Sequence, residues 1–159
     1  MIFARTGSIV GIVALVSLSG LHGAGPIPPK SPPKEPARVE LSVSPASPGG
    51  EARVTVRLQP AEGIKINRYP KIKLKVPGKP GLVDAAEAAV GSTAPPPPER
   101  IEANYFKTVD PVELTLVVDS RAPAGEHKLP GQLSYFYCVA ASGFCAPAKI
   151  PVTIPLTVR

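Results

Sequence analysis

Cys138 and Cys145 are the two cysteines of this 159-residue chain, and six residues separate them in Tyr135-Phe136-Tyr137-Cys138-Val139-Ala140-Ala141-Ser142-Gly143-Phe144-Cys145-Ala146-Pro147. The runs on either side, 131–137 and 149–158, read as antiparallel strands, so the pair can face itself across one hairpin. Opposed residues at a non-hydrogen-bonded position of such a pair lie close enough to bridge. As free thiols the two are poor attackers. A thiol becomes nucleophilic when a cation, a helix amino terminus or a metal lowers its pKa, and apolar surroundings do the reverse. Lys149 is the nearest cation in sequence, and no helix is expected to start at either cysteine. If the pair is redox-active, its chemistry is that of a disulfide attacked by a partner's thiolate, with electrons passed on through a mixed disulfide. If it is structural, it clips a hairpin, worth about 2–3 kcal/mol in the chain-entropy picture.

A disulfide needs an oxidising compartment, and residues 1–24 supply the argument for one. Arg5 precedes an apolar run from Ile9 to Leu21, which leads into His22-Gly23-Ala24. That is the pattern of a cleaved secretory signal peptide, and its core of about 13 residues is short of the roughly 20 that span a bilayer. No later stretch is longer or more apolar. The expectation is therefore a secreted or periplasmic protein without a transmembrane segment in its mature form, in which two cysteines default to a disulfide.

Other chemistries find little support. His127 has no serine and acid arranged around it and reads as a surface residue. Once His22 leaves with the signal peptide, two cysteines and one histidine do not complete a tetrahedral zinc site, and Met1 is the one methionine, which removes a thioether copper site. The acidic residues are scattered singly, so no glycosidase-like pair is evident. No cofactor or metal is expected. The net charge of +6 is moderate and lacks an arginine-rich, aromatic-interleaved tract, which argues against nucleic acid as a partner.

The elements that must position the cysteines are short strands. Residues 25–36 hold six prolines in twelve positions and read as an extended tether. Beyond them lie β-favouring runs at Arg38–Ser44, Ala52–Leu58, Lys71–Val76, Ile101–Thr108, Val112–Asp119, Gly131–Tyr137 and Lys149–Val158, most of them separated by Gly, Pro and Asp turn chemistry. Alternation is clear in Ala52-Arg53-Val54-Thr55-Val56-Arg57-Leu58 and in Val39, Leu41 and Val43. About seven or more such strands in residues 37–159 predict one all-β domain, an antiparallel sandwich of the immunoglobulin-like kind. One short helix is expected at Asp84–Gly91, where Asp84 and Glu87 have capping-box spacing. It lies in a long connection, residues 77–100, that ends in Pro95–Pro98.

Two further features invite a functional reading. Lys71, Lys73 and Lys75 alternate with Ile72, Leu74 and Val76, presenting either a positive surface for an acidic protein or anionic lipid headgroup or an edge strand guarded by lysines. Tyr135, Phe136, Tyr137 and Phe144 crowd the cysteines. They are either core, with Phe136 buried and Tyr135 and Tyr137 facing the other way, or a shield over the sulfurs.

The segment Tyr137–Pro147, followed by the alternating Lys149-Ile150-Pro151-Val152-Thr153-Ile154-Pro155-Leu156, resembles the end of the amino-terminal domain of the thiol:disulfide interchange family DsbD. An aromatic precedes the first cysteine, Gly-Phe precedes the second, and proline follows it. Gly63-Ile64-Lys65-Ile66-Asn67 and Tyr105-Phe106 fit the upstream layout more loosely, so the resemblance covers residues 37–158 and is specific over the last 25 or so. It implies a periplasmic immunoglobulin-like domain that passes electrons from a thioredoxin-like donor to disulfide proteins. It makes Cys145 the attacking and Cys138 the resolving thiol, a protein-disulfide reductase module, and it implies that Tyr105 or Phe106, with Tyr137 and Phe144, shields the pair. Six residues rather than five separate the cysteines here, and Ala146 stands where the family pattern has an aromatic. The chain carries no thioredoxin-like module after the domain, so the implied donor is a thioredoxin-like or DsbD-type protein on a separate polypeptide. The alternative is a non-enzymatic immunoglobulin-like binding or assembly module in which the same disulfide is structural.

Overall fold

The structure is a computed structural model, which describes residues 35–159. The expected signal peptide and most of the tether lie outside the described residues. Eight strands follow in order: β1 (Ala37–Val43), β2 (Glu51–Pro60), β3 (Ile64–Ile66), β4 (Ile72–Val76), β5 (Ala86–Val90), β6 (Val112–Val117), β7 (Gly125–Val139) and β8 (Cys145–Val158). β1, β2 and β6 form one antiparallel sheet. β3, β4, β5, β7 and β8 form the other. The protein is thus an all-β, antiparallel, two-sheet sandwich of the immunoglobulin-like class.

Period-two patterning makes these strands and packs the sheets together. Ala52, Val54, Val56 and Leu58 of β2 and Val112, Leu114 and Leu116 of β6 turn one buried face toward Ile72, Leu74 and Val76 of β4, Leu129 and Leu133 of β7, and Ile154, Leu156 and Val158 of β8. Intervening residues such as Arg53, Lys73 and Glu113 face water. No described helix is long and apolar enough to cross a membrane.

β7 organises the second sheet. β8 pairs with it along its whole length, from Gly125↔Val158 to Cys138↔Cys145. Its opposite edge is shared end to end by β3, at Tyr137–Val139, and β4, at Gln132–Ser134. Val139 N–H donates to Phe144 O at 2.7 Å just beyond the cysteines. Alternation from that bond leaves the odd-numbered residues of β8 with their backbone groups pointing away from β7. Pro147, Pro151 and Pro155 all fall on that outward side, so a 14-residue strand carries three prolines without losing a bond to its partner.

Several expectations are corrected. Asp84–Gly91 is not helical: Ala86–Val90 is a strand that supplies the outer partner of β4, and sheet pairing overrides the helix preference of alanine. Ile101–Thr108 is not a strand. A 3-10 helix runs Pro98–Asn104, with a proline opening its first turn, and a single bridge follows between Tyr105 and Asn67. β4 is an interior strand between β7 and β5, so Lys71, Lys73 and Lys75 guard no edge. Glu87 on β5 lies 2.9 Å from Lys75 Nζ and 3.4 Å from Lys73 Nζ and offsets part of their charge. The hydrogen bond from Lys75 holds the Glu87 carboxyl below its usual range. Tyr135 and Tyr137 are buried and Phe136 is half-buried, the reverse of the expected phase.

Candidate functional site

The site is the turn end of the β7–β8 hairpin. Cys138 and Cys145 are its last opposed pair and are joined by a disulfide, with an S–S distance of 2.04 Å and Cα atoms 4.0 Å apart. The pair occupies a non-hydrogen-bonded position, because the adjacent bond runs from Val139 N–H to Phe144 O. This is the close position that lets two opposed cysteines bridge. The turn beyond is drawn tight by the Gly143 N–H on Val139 O at 2.9 Å, with Gly143 in the left-handed region at φ 68°. Ala140 N–H donates to Gly63 O at 2.8 Å and ties the tip to the turn before β3.

Burial divides the two cysteines. Cys138 is 4% exposed, whereas Cys145 is open to solvent beside Phe144, itself 41% exposed. Asn67 Oδ1 lies 3.5 Å from Cys138 Sγ, and Gly143 O lies 3.6 Å from Cys145 Sγ. A disulfide sulfur carries no proton, so in this oxidised form these are contacts. On reduction each oxygen is placed to accept an S–H.

Register assigns the neighbours. Lys65 is opposite Cys138, and Asn67 N–H donates to Phe136 O at 2.9 Å. Opposed residues share a face, so Lys65, Asn67, Phe136 and both cysteines lie on the outer face of this sheet. Tyr105, opposite Asn67, joins them. Lys65 Nζ stands 4.8 Å from the centre of the Tyr105 ring and 2.9 Å from Glu102 Oε2. The hydrogen bond to Glu102 raises the Lys65 pKa above its ordinary value. The cation beside Cys138 is therefore Lys65, already committed to a carboxylate, while Lys149 sits opposite Ser134.

Asn104 fixes the segment that carries Tyr105. It is buried, its Oδ1 accepts from Tyr69 N–H at 2.9 Å, and its Nδ2 donates to Tyr69 O at 3.1 Å. The 3-10 turn is thereby tied to the loop after β3.

Of the expected shielding residues, Tyr105 and Phe144 lie on or beside the disulfide's face. Phe106 turns into the core, with the Arg68 guanidinium 4.9 Å over its ring, and Tyr137 faces the core on the opposite side of β7. His127 is at the far end of β7, its Nε2 2.9 Å from Pro123 O. Sequence reasoning did not single out Asn67, Lys65, Glu102 and Asn104 as site neighbours. The alternation Ile64-Lys65-Ile66-Asn67 does put Lys65 and Asn67 on one face, but the strand they pair with is more than seventy positions away.

Fold and site together define a disulfide-bonded immunoglobulin-like β-sandwich. No protein-family model matches the chain, and no curated protein matches it. Among solved structures, murine CRIg is similar at 12% identity over 77% of this chain and 98% of that chain, with a TM-score of 0.38.

Proposed function

We propose that this domain is an exported thiol:disulfide exchange module that works through Cys138 and Cys145. The observation that carries this reading is the unequal burial of the two cysteines. A partner thiolate reaches Cys145 Sγ and not Cys138. Its attack forms a mixed disulfide with Cys145 and releases Cys138 as a thiolate, which takes a proton from solvent. A second thiolate of the partner then attacks the partner's own sulfur in the mixed disulfide, releasing Cys145 and leaving the partner oxidised. Reduced Cys145 repeats the exchange on a substrate disulfide, and Cys138 resolves it by attacking Cys145 Sγ. Two electrons enter and two leave.

The resemblance to the DsbD amino-terminal domain supports the same order of attack, with Tyr105 as the aromatic nearest the pair on its own face. The domain needs no cofactor for this chemistry, and its partners are thioredoxin-like or DsbD-type proteins. A Cys138→Ala variant tests it: the unresolved Cys145 accumulates a mixed disulfide with a thioredoxin-like protein of the same compartment. Failure to form any such adduct, under conditions where a known exchange domain does, would exclude the reading.

The second reading is a binding or assembly module with a structural disulfide. It is favoured by the placement of the pair as the closing rung of a long, regular hairpin, where a bridge holds the tip without further purpose. The comparisons with known proteins give no support to exchange, and the coarser description, a disulfide-bonded immunoglobulin-like module, is closer to this second reading than to exchange.

A further inference from the structure

The two strands that border the open side of the sandwich are protected differently. β8 presents Pro147, Pro151 and Pro155 on its outward side, so every second outward N–H is missing and no continuous ladder can form there. β1 has no such guard. Ala61 N–H donates to Pro36 O, and Ser44 N–H donates to Arg53 O. Alternation between those bonds leaves Ala37, Val39, Leu41 and Val43 with N–H and C=O groups directed away from β2. Among the described residues, none of these four has a backbone partner elsewhere. The side chains of Val39, Leu41 and Val43 are only half-buried. Beside them an open groove of about 570 Å³ separates Ala37 and Val39 from Tyr137, Ala148 and Ile150.

We propose that β1 is a self-pairing edge, and that two copies of this chain associate by joining their β1 strands antiparallel about Val39. Charge selects both the occupant and the register. Arg38 and Glu40 flank Val39 on the wet face and lie 3.6 Å apart, both exposed. Antiparallel pairing of Val39 with its own copy sets each Arg38 directly opposite the other copy's Glu40, twice by symmetry. It also puts Leu41 of one copy opposite Ala37 of the other, at the mouth of the groove. Shifting the register by two residues in total sets Glu40 against Glu40 or Arg38 against Arg38, which costs free energy. The segment Ala-Arg-Val-Glu-Leu is thus complementary to its own copy, as an interface on a two-fold axis requires. The product is a continuous six-stranded sheet, closed by the symmetry so that no further copy adds at that edge. It is a small interface and therefore a weak dimer.

Sedimentation equilibrium of the purified protein tests this between about 10 µM and 1 mM, the range expected for an interface of this size. The weight-average mass should climb from the monomer value toward twice it, with and without reductant. Val39→Pro removes an outward N–H and no bond to β2, and should remain folded and monomeric, while Val39→Ala, which loses the same packing but keeps the N–H, should still associate. Arg38→Glu and Glu40→Arg should each weaken association at least about tenfold, and the two together should restore it. A wild type that stays monomeric at 1 mM overturns the proposal. So does a dimer indifferent to the charge reversals, a dimer abolished by reductant, or a dimer that appears only when residues 25–34 are deleted, which would mean that the chain's own segment covers the edge.

Discussion

Cys138 and Cys145 are bonded to each other across the last rung of the β7–β8 hairpin, yet the first residue is buried and the second is exposed. The cause is local. Cys138 sits on a strand flanked on both edges, by β3 and by β8, with Asn67 against its sulfur. Cys145 opens an edge strand at the point where the hairpin turns.

That asymmetry predicts a difference in reactivity. In single-cysteine variants, Cys145 of Cys138→Ala should be alkylated by iodoacetamide at least about ten times faster than Cys138 of Cys145→Ala at the same pH, since access favours the exposed residue. Equal rates would remove the assignment of separate roles.

Asn104 should matter to the fold out of proportion to its size. Asn104→Ala leaves both the N–H and the C=O of Tyr69 without their partner in a partly buried place, at a cost of about 2–3 kcal/mol in urea unfolding. It should also free the Tyr105 segment, read as loss of amide-exchange protection at Tyr105 and Phe106, whose N–H groups bond Glu102 O and Ile66 O.

Tyr135 is 2% exposed, and its hydroxyl has no hydrogen-bond partner. Burial, with a smaller contribution from Tyr137, pushes its pKa up to about 12. The folded protein then holds this proton more tightly than the unfolded chain, whose tyrosine titrates near 10. Stability is unaffected below about pH 10 and falls as pH rises from there toward 12. Tyr135→Phe should remove that part of the alkaline loss and, by deleting an unsatisfied group, leave neutral-pH stability equal or higher by about 1 kcal/mol. Denaturation midpoints across pH 7–11 check both.

The outward prolines of β8 should act on association rather than on folding. Pro151→Val restores an N–H that points away from β7, so unfolding free energy should change by less than about 1 kcal/mol while light scattering at high concentration increases. A large loss of stability would place Pro151 in the ladder to β7 and contradict the register.

The sandwich was legible because β2, β4 and β6 alternate cleanly and every second residue is buried. β5 was not, since Ala85–Ala89 with Asp84 and Glu87 has helical chemistry and becomes a strand only because β4 offers it an edge. The expected phase around the cysteines took Phe136 as the core residue. Extended back to Leu129, the spacing of Leu129, Leu133, Tyr135 and Tyr137 puts the odd positions inside and Phe136 outside with Cys138. The hairpin pairing of Cys138 with Cys145 is local and could be read directly. The neighbours that distinguish the two sulfurs, Asn67 and Lys65, arrive through long-range register, which no local pattern encodes.

The central claim is that this disulfide is made to be exchanged, and its midpoint potential tests that most directly. Equilibrated against glutathione buffers and read by alkylation of Cys138 and Cys145, the pair should reduce between about −300 and −180 mV, within reach of thioredoxin-like donors and disulfide substrates. A midpoint well below about −300 mV, with a large fall in melting temperature on reduction, would contradict exchange and make the bond a structural clip.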